Sequence, residues 1–179
     1  MVKETSLHLL IFLGLLFLTV LLYLLPDPVP LYAAMLLWLT AAAMLASVLC
    51  GEFYGVLLSL LIPAFIWYMF ERETFPASWI REAASALCGC LACGMFYRFF
   101  HVTFRAFIAG VLASRIAYAL TGFVLSVIFR NTARFTDFVR EGIVNVWPGL
   151  ILCLILLPLL VGLFRKQGLM FILRDESRN

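Results

Sequence analysis

Residues 7–25 read LHLLIFLGLLFLTVLLYLL, nineteen positions without one Asp, Glu, Lys or Arg. A run of that length matches the roughly 20 residues with which a helix crosses the hydrocarbon of a bilayer. Strands of a closed barrel would alternate apolar and polar positions, and this run does not. With no water at bilayer depth, every backbone amide needs an internal partner, which leaves the helix as the solution. Residues 150–164, LILCLILLPLLVGLF, repeat the pattern near the other end of the chain. Between them, 65% of the 179 residues are hydrophobic and 13% charged, with a mean hydropathy of +1.08. That is too little polar surface to coat a water-soluble core of this size.

The fold class expected is all-α: a single integral membrane domain over residues 1–179, a bundle of six transmembrane helices. The spans fall at about 7–25, 31–50, 53–70, 80–98, 105–129 and 145–165. The first, following Lys3 and Glu4, has no small-x-small cleavage site before Pro26-Asp27-Pro28, so it reads as a retained helix and not as a signal peptide. The links are short: the proline-rich turn 26–30, Gly51-Glu52, residues 71–76, and the longer polar stretch 130–142. None has room for a second domain, and no internal repeat is present. Lys and Arg in short loops set orientation. With the N-terminus inside, Lys3, Arg98, Arg105, Arg165, Lys166, Arg174 and Arg178 lie inside, against Arg72, Arg81, Arg130, Arg134 and Arg140 outside. That balance favours N-in and C-in. A net charge of +3, scattered over helix ends, suits lipid headgroups and gives no basis for nucleic-acid binding.

Small residues mark where helices approach. Gly51, Gly55, Ser59 and Pro63 recur every four residues at the start of the third span. The fourth is small on nearly every side, through Ala83, Ala84, Ser85, Ala86, Cys88, Gly89, Cys90, Ala92, Cys93 and Gly94, which places it inside the bundle. Of Cys88, Cys90 and Cys93 only the last two share a helical face, and no His lies near in sequence, so neither a metal site nor a cofactor is expected. The five cysteines, Cys50 and Cys153 included, lie in or beside apolar segments as small hydrophobes. His101, beside Arg98, and His8 sit at span edges, where interfacial roles fit better than catalysis.

Arg115 is the most informative residue. It lies in Ser114-Arg115-Ile116-Ala117-Tyr118, inside an apolar span where an isolated charge costs several kcal/mol. Such a charge needs a partner, either internal, with Glu82 a candidate, or an anionic ligand group reached through a watery cavity. Trp147-Pro148 opens the last span: proline suits a first helical turn, and tryptophan suits the interface or the mouth of a site.

Taken together, Gly51-x-x-x-Gly55-x-x-x-Ser59-x-x-x-Pro63, Ser114-Arg115-Ile116 and Trp147-Pro148-Gly149-Leu150-Ile151-Leu152-Cys153-Leu154-Ile155-Leu156-Leu157-Pro158 resemble the substrate-binding S components of energy-coupling factor (ECF) transporters. In that family a glycine-rich step opens the third helix, a Gly-Arg-Ile/Val segment lies in the fifth, and a Pro-Gly-Ile-x-x-Gln-x-x-x-x-Pro run begins the sixth. Order and rough spacing agree from about residue 45 onward. Ser114 stands where glycine is usual and Cys153 where glutamine is common, and the first span offers only Gly14 where the family carries an Ala-x-x-x-Ala-like docking face. The resemblance implies a multi-pass protein of a prokaryotic cytoplasmic membrane that captures a small water-soluble vitamin or precursor from outside. It also implies partners, an ECF transmembrane coupling protein and its pair of ATPases, and no enzymatic activity in the chain itself. The residues set for the ligand are Arg115 for an anionic group, Tyr118 and Trp147 for stacking, and Asn145 for hydrogen bonding. Two rivals stay open. A non-transporting scaffold or accessory subunit would explain the altered first span. An intramembrane enzyme would need converging acids, bases, nucleophiles or metal ligands, which the apolar spans scarcely supply.

Overall fold

The computed structural model describes residues 2–24, 32–70, 77–129, 134–144 and 146–166, and all regular structure among them is helical. Seven helices follow one another: α1 (Val2–Leu24), α2 (Tyr32–Cys50), α3 (Glu52–Phe70), α4 (Ala77–Phe100), α5 (Thr103–Ile128), α6 (Phe135–Val139) and α7 (Trp147–Lys166). A π-helical turn, Arg140–Val144, continues α6. Ile80–Phe100 within α4 and Thr103–Ile128 (α5) are each long and apolar enough to cross a membrane. Phe135–Val144 with Gly149–Phe164, bent by 49°, would make a third such span. The described apolar stretches of the first three helices, His8–Thr19, Leu39–Cys50 and Glu52–Phe65, are shorter. Their parent helices nonetheless run 23, 19 and 19 residues. The structure therefore establishes an all-helical chain with two to three helices of spanning character.

Why the helices end where they do is local. Gly51 separates α2 from α3 at φ +107°, a backbone conformation open to glycine and costly for other residues. Its carbonyl then accepts the first amides of α3, from Tyr54 at 3.1 Å and Gly55 at 3.4 Å. The α4–α5 hairpin turns through His101, whose φ of 52° is left-handed and whose amide donates to the Tyr97 carbonyl at 2.9 Å, closing the last turn of α4. Ahead of α6, the Arg134 amide donates to the Asp137 carboxylate at 2.9 Å, so an acidic side chain satisfies an orphan donor at the start of this helix. The stretch 130–142 was expected as a plain polar link. From Phe135 onward it is helical instead, because Phe138 and Gly142 turn inward and pack on α5.

The packing is arranged around α2. From Leu39 to Cys50 every side chain is buried, an alanine- and serine-rich stretch that lets neighbours approach on all sides. The sequence reading placed α4 inside the bundle. α4 does pack on α2, α3 and α5, but Met95, Phe96, Phe99 and Phe100 at its far end are exposed. The outward faces of α5 and α7 carry Leu112, Ile116, Leu120, Ile151, Ile155 and Leu159, an apolar exterior suited to lipid.

The small residues act as expected at most positions. A Cβ at Gly55 would lie 2.8 Å from both the Ala43 carbonyl and the Ser47 Cβ, one at Gly89 2.8 Å from the Met44 Cε, and one at Gly94 against the Ser47 hydroxyl. Ser59 is fully buried. Gly51 is the exception, since nothing lies within 4 Å of a Cβ built there: it serves the turn and not a helix contact.

Candidate functional site

The site is built where α2, α4 and α5 converge. Thr40, the one polar side chain between residues 33 and 46, projects from α2; Ser85 projects from α4 and Ser114 from α5. Their convergence depends on Gly89, one turn along α4 from Ser85. A Cβ there would be 2.9 Å from the Ser114 Cβ and 3.2 Å from the Thr40 Cγ2. Glycine at this position draws the three hydroxyls into one cradle.

Arg115 lies in that cradle, only 4% exposed. Its Nε donates to the Ser114 Oγ at 3.2 Å, and its Nη2 donates to the Thr40 Oγ1 at 3.3 Å and the Ser85 Oγ at 3.4 Å. Ser114 in turn donates to the Val111 carbonyl at 2.8 Å, which orients its lone pairs toward the guanidinium. All three acceptors are neutral. Glu82 lies one turn before Ser85 on α4. The hydrogen bonds described for the guanidinium all go to these hydroxyls.

Tyr118, one turn further along α5, is 3% exposed and receives two cations. The Arg115 Cζ lies 5.7 Å from its ring centroid and the Arg81 Cζ 4.6 Å. Arg81 also stands 5.7 Å from the Phe138 ring of α6 and makes a 3.4 Å ion pair with Glu141 in the π-helical turn. Gly142 permits this turn to lie flat on the tyrosine, since a Cβ there would be 2.8 Å from the Tyr118 Cδ1. Two cations, an aromatic wall and the half-exposed carboxylate of Glu141 thus share one end of the bundle.

Of the residues chosen from the sequence, the structure brings together Arg115 and Tyr118. Trp147 is 58% exposed at the start of α7, on an outer surface, which fits interfacial anchoring. Asn145 lies outside the described residues. Cys153 is buried on α7, in the core cluster that also holds Met44 and Val111. Thr40, Ser85, Arg81 and Glu141 were not singled out from the sequence. A lone threonine in an otherwise apolar stretch was a usable signal for the first of them.

The cysteines are all free thiols. Cys90 and Cys93 are fully buried, and Cys90 donates to the Leu87 carbonyl at 3.2 Å. The Cys90 carbonyl accepts the Ser47 hydroxyl at 2.9 Å, a polar clasp between α2 and α4. Comparison of the chain with protein-family models, with curated proteins and with solved structures gives no match.

Proposed function

We propose that the chain is a six-span membrane subunit of the S-component type, which binds a small water-soluble vitamin or precursor through an anionic group held by Arg115. The reading rests on one observation: a guanidinium buried among three helices whose described hydrogen bonds go to neutral hydroxyls. Interhelical hydrogen bonds in membranes average about 0.6 kcal/mol, so three long ones return roughly 2 kcal/mol. Placing an arginine at mid-membrane costs about 2.5–3.5 kcal/mol on the most lenient scale and far more on others. The cradle orients the charge without neutralising it, and a small anion would complete it. Tyr118 supplies an apolar wall beside the charge, the combination usual in small-molecule sites.

With both termini inside a prokaryotic cytoplasmic membrane, α4 enters from outside and α5 exits there. Arg81, Tyr118 and Arg115 then occupy the outer half, the side from which a nutrient arrives. Release inward would depend on an ECF coupling protein and its ATPase pair. The chain's part is binding, and no enzymatic step is assigned to it.

A specific observation favours a second reading: the hydroxyls come from α2, α4 and α5, so Arg115 also suits a structural clasp in a scaffold or accessory subunit. One experiment separates the two. The purified protein is screened against water-soluble vitamins by thermal unfolding, alone and as R115Q and R115M. A ligand at 100 times its Kd adds about 2.7 kcal/mol to the folded state. The proposal expects at least one carboxylate or phosphate vitamin to raise the unfolding temperature of the wild type, with the rise lost in folded R115Q. No rise with any vitamin, together with unfolding of both variants at lower temperature, would select the clasp.

A further inference from the structure

Arg81 occupies a position that the binding role of Arg115 leaves unexplained. Its guanidinium lies against the same tyrosine ring as that of Arg115, is sandwiched toward Phe138, and is held by Glu141 at 3.4 Å. The pair is uneven: the Arg81 side chain is 22% exposed and the Glu141 side chain 51%. The cation is therefore fixed by aromatic faces while its carboxylate partner stands in solvent on the short π-helical turn. An ion pair with one half-exposed member is weak and readily exchanged. Glu141 presents to Arg81 the same chemical group, a carboxylate, that a ligand bound at Arg115 would present.

We infer that Arg81 is a second anion-binding residue of the site, and that Glu141 is an internal carboxylate which occupies Arg81 until a ligand monocarboxylate displaces it. The inference rests on the reading of Arg115 as a ligand contact. Charge balance commits the ligand to a single negative charge. Moving Glu141 away leaves the single positive charge of Arg81 without its carboxylate, and one carboxylate of the ligand restores the balance. Gly142 supplies the pivot, because its lack of a side chain lets the turn carrying Glu141 rest on Tyr118.

The test uses the full chain in detergent micelles with nicotinate, pantothenate and biotin as monocarboxylate probes, and nicotinamide, panthenol and biotinamide as uncharged controls. Apparent affinities come from thermal shift titrations of the wild type, R81Q, E141Q and R115Q. Removing the internal competitor in E141Q should tighten binding of the responding carboxylate about fivefold, the equivalent of a weak exposed ion pair. R81Q should weaken it about tenfold or more, as expected for loss of a charge-assisted contact. The amide and alcohol controls should not distinguish E141Q from wild type. E141Q alters a half-exposed surface group, so it keeps the test decisive should R81Q fail to fold. If R115Q abolishes binding while E141Q and R81Q bind as the wild type does, this inference is overturned and the Arg115 reading stands. If no carboxylate shifts the wild type, both fall. Repeating the titration in nanodiscs of phosphatidylcholine and of phosphatidylglycerol separates a soluble carboxylate from a lipid headgroup. Competition by phosphatidylglycerol that E141Q strengthens would assign the site to lipid and overturn the soluble-ligand inference.

Discussion

Replacing Gly110 by alanine would place one methyl group at the tightest point of the α4–α5 pair. Its Cβ would lie 2.8 Å from the Cys93 Cβ, 2.9 Å from the Gly89 carbonyl oxygen and 3.1 Å from the Met44 Sδ. Ordinary contacts between heavy atoms sit near 3.5–4.0 Å. The Met44 thioether can turn aside, but a β-carbon and a backbone carbonyl cannot, so α4 and α5 must separate by several tenths of an ångström. Overpacking of this kind costs about 1–3 kcal/mol. Alanine recovers at most about 1 kcal/mol through its better helix propensity. The net expectation is a loss of roughly 1–2 kcal/mol. Gly14 provides the control, because nothing lies within 4 Å of a Cβ built there, and G14A should be neutral or more stable by up to about 1 kcal/mol. Reversible unfolding in mixed micelles, titrated with sodium dodecyl sulfate and followed by circular dichroism, measures both. G110A as stable as the wild type, or less stable by no more than G14A, would refute the close α4–α5 packing on which the Arg115 cradle depends.

Three further outcomes follow from the same geometry. G51A should destabilise by about 1–3 kcal/mol despite open space around it, since φ +107° strains any L side chain; the same unfolding titration reads this. T40V, which keeps the shape of the side chain and removes one acceptor of Arg115, should cost between about 0.6 and 1.7 kcal/mol, and adding S85A should cost less than the sum of the two, as expected for groups sharing one donor. Maleimide labelling read by mass spectrometry should leave Cys90 and Cys93 unmodified in native micelles and modify both once the bundle is unfolded in dodecyl sulfate, because neither thiol is accessible in the fold.

The helical character of the chain was legible because it depends on composition and run length, which residues 7–25 and 150–164 display openly. The close-approach positions Gly55, Gly89 and Gly94 were legible for a similar reason: small residues in a membrane helix have few uses other than contact. What could not be read was which way each helix faces. The all-round smallness of α4 suggested a place inside the bundle without telling its faces apart, and α2, where Ala41, Ala42, Ala43, Ala46 and Ser47 are small as well, is buried throughout from Leu39 to Cys50. Periodicity gives no rotation for a helix that is apolar throughout. Gly51 shares the four-residue spacing of the stripe but precedes the helix, and spacing alone does not separate a turn glycine from a packing one.

Arg115 illustrates the same limit at the site itself. Sequence identifies a buried cation that needs a partner, and pairing rules point to the nearest acidic residue on a neighbouring span, Glu82. The structure shows hydroxyls on three helices around it, brought together by the missing side chain of Gly89. The difference has a functional consequence. A carboxylate bonded to Arg115 would cancel its charge and close the site to other anions, whereas hydroxyls fix its direction and leave the charge available. Ser114 fits this logic: a glycine at that position would supply no acceptor for the arginine beside it, and here the serine both accepts from Nε and is oriented by the Val111 carbonyl. The described acceptors of Arg115 are thus neutral hydroxyls, weaker partners than a carboxylate, and on the proposed reading the strongest partner of the cation comes from outside the chain.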